Sequence, residues 1–141
     1  MTVVYVIERL GRYHRTAASR PRLPGIDRVR ARVDLGPQRL EFPAQPVITG
    51  DNLVVSAAAT VWCTVTDPVK ATYEISNYGQ AVEQLTVTVL RSLGGELSRQ
   101  AVLDSRLDLN RRLAEELGRY VGRWGLRVER TEITQLRPQD R

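Results

Sequence analysis

The sequence predicts an α+β fold in a single domain, a sheet packed against several helices, and three observations carry that expectation. Between Leu53 and Val65 apolar residues fall at every second position, the period of a strand with one buried face. From Ala81 to Leu93, and again from Leu109 to Val121, they recur three or four apart, the period of an amphipathic helix. Strand signals occupy the chain up to Val65, helix signals follow and one more strand closes it, so strands and helices are segregated rather than alternating. At 141 residues and 42% hydrophobic, the chain has the size and apolar content of one ordinary core.

Taken in order, Val3 to Leu10 reads as a first strand, with Gly11-Arg12-Tyr13 its continuation or turn. His14 to Gly25 holds two prolines and no periodicity and reads as a loop. Ile26 to Leu35 alternates Val29, Ala31, Val33 and Leu35 with Arg28, Arg30, Arg32 and Asp34, which makes a strand with one basic face. Leu40 to Ile48 and the run from Leu53 form a β-hairpin around Thr49-Gly50-Asp51-Asn52, residues that tolerate positive φ. On the second strand Ser56, Thr60, Thr64 and Thr66 take the polar face and Cys63 the apolar one.

Asp67-Pro68 supplies an N-cap carboxylate and a proline at the first helical position, starting a short helix to Glu74. Asn77 caps a longer helix carrying Ala81, Val82, Leu85, Val89 and Leu93, which Gly94-Gly95 stops. Ser98 caps a single turn. Arg106 to Arg123 carries Leu109, Leu113, Leu117, Tyr120, Val121 and Trp124 on one side, and the pairs Asp108–Arg112, Arg111–Glu115 and Arg112–Glu116 on the other as a solvated face. Gly125 ends that helix, and Leu126 to Leu136 is the last strand. Its apolar phase moves from even positions (Leu126, Val128) to an odd one (Ile133), which predicts a bulge or bend near Arg130 and Thr131.

Composition excludes several chemistries. No run reaches the roughly 18–20 apolar residues of a membrane span, and the N-terminus is charged too early for a secretory signal. A single cysteine forbids an internal disulfide, and nothing has the spacing of a zinc site, a redox pair or a phosphate-cradling loop. His14, the one histidine, has no nucleophile placed beside it by spacing. No enzyme, metal or cofactor is therefore expected. The formal charge of +5 is polarised: residues 1–41 hold nine arginines against Glu8, Asp27, Asp34 and Glu41, while the remainder is balanced. Such an arrangement suits one flat anionic partner, a lipid surface or a phosphate backbone. Nucleic acid is the weaker of the two, since no recognition motif is present and Tyr5 and Tyr13 are few stacking candidates.

Several segments together resemble the stomatin/prohibitin/flotillin (SPFH, or band-seven) domain, and the stomatin-like slipins most closely. They are ERLGRYHR at 8–15, IDRVRARVDL at 26–35, FPAQPVITGDNLVV at 42–55, VTDPVKATYEISNY at 65–78, AVEQLTVTVLRSLGGEL at 81–97, SRLDLNRRL at 105–113 and WGLRVERTEI at 124–133. The resemblance places the domain over 1–137, followed by a short polar tail at 138–141. It implies a non-catalytic α+β domain on a membrane face that joins homo-oligomers or hetero-oligomers with related slipins, organises membrane microdomains and regulates membrane proteins such as proteases. A peripheral site on the cytoplasmic face of a bacterial membrane is the matching location.

Two departures shape the expectation. The chain starts at the first strand, where slipins carry a hydrophobic anchor, and Pro24-Gly25 runs directly into Ile26 where they place an apolar segment. It ends at RPQDR, without the family's long coiled-coil helix. Attachment is therefore expected through Arg9, Arg12, Arg15, Arg20, Arg22, Arg28, Arg30 and Arg32. The second reading is a soluble module that joins or caps assemblies of a full-length relative through exposed strand edges in the hairpin and in Leu126–Leu136.

Overall fold

The computed structural model describes residues 3–18, 26–75 and 77–139. Its elements run β1 (Val3–Arg9), β2 (Arg12–Ala17), β3 (Asp27–Asp34), β4 (Gln38–Ile48), β5 (Val54–Val65), α1 (Pro68–Tyr73), α2 (Tyr78–Gly95), α3 (Arg99–Asp104), α4 (Arg106–Val121) and β6 (Leu126–Pro138). The architecture is α+β, and its strands form two antiparallel sheets of three, ordered β2-β1-β3 and β4-β5-β6. No parallel pairing joins any of the described strands.

Residues 14–17 correct the expected loop, joining Arg12 and Tyr13 in one strand. Together these residues form β2, because Leu10 (φ 54) and Gly11 (φ 81) make a tight reversal that turns the chain back along β1. His14 is the extra residue of a bulge there: Ile7 lies opposite Arg15 and Glu8 opposite Tyr13. The rest of the expected loop, residues 19–25, lies outside the described residues.

The hairpin forms as the sequence predicts, with Asn52 at φ 62 closing its turn. The Asp51 carboxylate accepts from the Thr49 hydroxyl at 2.5 Å and from the Arg99 amide, tying the turn to the start of α3. The Asp67 and Asn77 caps also form: Asp67 accepts from Val69 and Lys70 amides, Asn77 from that of Gln80. Ser98 accepts from Ala101 and starts α3, which runs to Asp104.

The helix α2 ends at Gly95, as the Gly94-Gly95 pair predicts. A β-carbon on Gly94 would stand 2.5 Å from a Val47 methyl, so this glycine lets helix and hairpin approach closely. Gly125 (φ 72) ends the last helical turn, in the left-handed conformation that favours glycine.

The main core lies between the second sheet and α2 and α4, where Val55, Val61, Val82, Leu113, Leu117 and Ile133 are fully buried. Val6 and Val33 of the first sheet join it, and α1 touches β1 and β3. Tyr120, expected on the buried side of α4, is 43% exposed. Of the three expected charge pairs on α4, only Arg111–Glu115 forms; Arg111 also holds Asp108, Arg112 reaches Glu96, and Arg119 pairs with Glu116.

Candidate functional site

Alternation and register decide which way the arginines of the first sheet point. Residues directly opposite in an antiparallel pair share a face, and so do alternate residues on one strand. Tyr5, Ile7 and Arg9 of β1 therefore share a face with Arg32, opposite Tyr5; with Arg15 and Val29, opposite Ile7; and with Arg12 and Asp27, opposite Arg9. Val4, Val6 and Glu8 take the other face with Ala31, Val33 and Arg28, and that face meets the core. Arg30 is the extra residue of a bulge between Val6 and Ile7 and lines a cleft of about 510 Å³ that Tyr78 and Ala71 also border.

Of the eight arginines singled out by the sequence, four thus lie on the face of the first sheet turned away from the main core, the outer face: Arg9, Arg12, Arg15 and Arg32, with Ile7 fully buried among them. Arg28 and Arg30 point elsewhere, and Arg20 and Arg22 fall outside the described residues. The outer four are not equivalent. Arg9 donates to both oxygens of Asp27, at 2.7 and 3.2 Å. Asp27 is 5% exposed, and this bond, with the nearby charge of Arg9, His14 and Arg15, holds its carboxyl below the usual range against the opposing effect of burial. Arg12, Arg15 and Arg32 form no ion pair with a described carboxylate. By contrast, Arg39, Arg111, Arg112, Arg119, Arg127 and Arg130 are all paired.

On the inner side, Tyr73 of α1 donates to Glu8 at 2.8 Å and meets the edge of Tyr13. Burial and the neighbouring carboxylate push its hydroxyl up to about 12, so it stays a neutral donor. Glu8 stands opposite Arg28 but is held by Tyr73, which leaves Arg28 free for other contacts.

The second sheet offers no acid/base or metal arrangement either. Cys63 is buried and its thiol pushed up by desolvation, as expected of a small core residue. Among the described residues no cluster of three His, Cys, Asp or Glu side chains has the arrangement to hold a metal ion. No described helix is long and apolar enough to cross a membrane.

Sequence reasoning missed two features here. On β5 the nominally polar side is more shielded than expected: Ala58, Thr60 and Thr64 are 9% exposed or less, while Ser56 and Trp62 stay partly exposed. The Arg130 guanidinium lies over the Trp62 ring, 4.1 Å from its centre, with Arg39 on the other flank at 5.9 Å. A tryptophan in phase with threonines was the available signal. The other is Asn110, whose side chain accepts from the Ile133 amide at 2.7 Å while its carbonyl accepts from the Thr131 hydroxyl.

The comparisons agree with this architecture. The model of the SPFH domain / Band 7 family matches residues 1–141. An uncharacterised protein of Mycobacterium tuberculosis is 50% identical over 135 residues, covering 94% of this chain and 35% of that relative. An uncharacterised protein of Methanothermobacter thermautotrophicus is 38% identical over 135 residues, 94% of this chain and 42% of that relative. Stomatin-like protein 2, mitochondrial, of Rattus norvegicus is 31% identical over 134 residues, 94% of this chain and 38% of that relative. The chain thus spans well under half the length of these relatives. With strands, hairpin, caps and closing strand in the expected order, this chain belongs to the SPFH domain / Band 7 family.

Proposed function

We propose that the chain is a membrane-surface scaffold domain, without catalytic residues of its own, that lies against anionic lipid by the outer face of its first sheet. Membership of the SPFH family and the likeness to a stomatin-like protein support a scaffold role in general. The observation that carries the lipid contact is the register that gathers Arg9, Arg12, Arg15 and Arg32 on one face, three of them without a described carboxylate partner. Basic residues at an anionic surface contribute about 1 kcal/mol each, so such a face gives weak, reversible, salt-sensitive attachment. On that surface the domain joins homo-oligomers or assemblies with related slipins, which organise the surrounding membrane and regulate proteins such as membrane proteases. A cytoplasmic face of a bacterial membrane is the proposed location.

Flotation with vesicles tests this reading. Binding to anionic vesicles at low salt, with loss in neutral vesicles and at high salt, is expected. Equal failure with both lipids removes the lipid contact.

The alternative, a module that caps assemblies through its strand edges, fares less well on the geometry. The β4 edge carries Pro43, Pro46 and a bulge, and β6 carries two bulges and alternating charges, devices that discourage backbone pairing. Mass measurement with a full-length relative distinguishes it, since a capping module forms a complex without lipid.

A further inference from the structure

The second sheet turns one face to α2 and α4 and leaves the charged side chains of β4 and β6 on the other exposed around the shielded centre of β5, and that open face has an order of its own. Two rows cross all three strands. Arg39, Trp62 and Arg130 stand directly opposite one another, and two positions along, so do Glu41, Thr60 and Glu132. A positive row with an aromatic centre thus lies about 7 Å from a negative row with a small polar centre.

The strand β6 is bent to make this pattern. Leu126 and Val128 face the core, so an uninterrupted strand would turn Arg130 and Glu132 inward as well. Glu129 is an extra residue between the pairs Val128–Cys63 and Arg130–Trp62, and it reverses the phase. Thr134 is a second one, between Ile133–Ala59 and Gln135–Ala58, and it restores the phase so that Leu136 faces inward again. Only the stretch between the bulges is flipped, with Thr131 and Ile133 buried and Arg130 and Glu132 exposed. Bulges are common on edge strands such as β6 and re-aim the side chains beside them.

We propose that this open face is a self-complementary contact for a second copy of the chain. A two-fold axis lying between two such sheets, perpendicular to the strands at the level of Val61, sets Arg39 over Glu41 of the second copy and Arg130 over its Glu132, with the converse pairs formed by symmetry. Within one copy the bridges Arg39–Glu41 and Arg130–Glu132 are exposed, and exposed pairs hold their partners weakly, so exchange between copies is easy. Three strands about 4.8 Å apart make a face smaller than the roughly 800 Å² per partner of a stable dimer. The association is therefore weak in solution and gains from concentration on a surface.

The proposal specifies the homo-oligomeric association put forward above and rests on that reading, but its test contains no lipid, so failure here and failure of lipid binding are separate results. Sedimentation of the wild-type chain at low salt, up to about 1 mM, should show a concentration-dependent dimer that high salt disperses. Arg130→Glu and Glu132→Arg should each weaken association by about tenfold or more, because like charges then meet twice across the axis. An equimolar mixture of the two variants should restore it, since each supplies the charge the other lacks. Arg39→Glu with Glu41→Arg gives the same test on β4 should either β6 variant fail to fold. A wild-type chain that stays monomeric, single variants that dimerise like wild type, or a mixture of folded variants that does not recover would each overturn the proposal.

Discussion

Asp27 shows how much of this surface is decided by single residues. It is set beside Arg9 on the arginine-bearing face, nearly buried, and its pKa is lowered first by the Arg9 hydrogen bonds. A carboxyl with a depressed folded pKa contributes stability above its unfolded pKa of about 3.9 and loses it as pH falls through the folded value. Asp27→Asn should therefore lower stability at neutral pH, with the difference from wild type shrinking as the solution is acidified below about pH 4; denaturant titrations from pH 2 to 7 check it. Glycines give a sharper contrast. Gly94→Ala places a methyl against Val47 and should destabilise by about 1–3 kcal/mol, whereas Gly118→Ala, with nothing within 4 Å, should stabilise α4 by about 0.5–1 kcal/mol. Thermal or denaturant midpoints of the two variants should move in opposite directions. The sequence marks Gly94 only as part of a helix stop, because a close approach from a strand more than forty residues away leaves no local mark.

At the scale of elements, signals that depend on neighbours along the chain were legible and those that depend on contacts across it were not. Asp67, Asn77 and Ser98 are caps by local chemistry, and all three accept the backbone bonds expected of them. The bulge in β6 was also legible, since the buried positions change parity between Val128 and Ile133; the compensating bulge at Thr134 was not, because only Leu136 marks the return. The strand β2 escaped notice because Arg12–Ala17 carries no apolar alternation, its pairing being supplied by β1. Asn110 joins α4 to β6 at the flipped stretch, assisted by Arg106, which donates to the Ile133 carbonyl. Asn110→Ala leaves the Ile133 amide unsatisfied beside a buried side chain, and a loss of about 1–3 kcal/mol is expected in denaturant unfolding.

For the whole molecule, the charge asymmetry of the sequence becomes a directional one only once strand register is known. The excess of arginine before Phe42 is plain from composition. Its division is not, because bulges at His14 and Arg30 determine which side chains share a face, and neither has a sequence signature. Arg28 was expected with the others and is turned to the opposite side by the second of these. The two sheets then present different chemistries: an arginine face that also holds Asp27 and Asp34, and a face of balanced rows around Trp62. The first face, which also carries Asp34 opposite Val3 at its edge, suits an anionic surface and the second a copy of itself. The central claim is that position, rather than net charge, attaches the domain. It is tested most directly by flotation on anionic vesicles of two variants with the same change in charge, Arg12, Arg15 and Arg32 to Glu in one, Arg91, Arg123 and Arg137 to Glu in the other. The account predicts that the first no longer floats while the second still does; equal loss in both, or retention by the first, would contradict it.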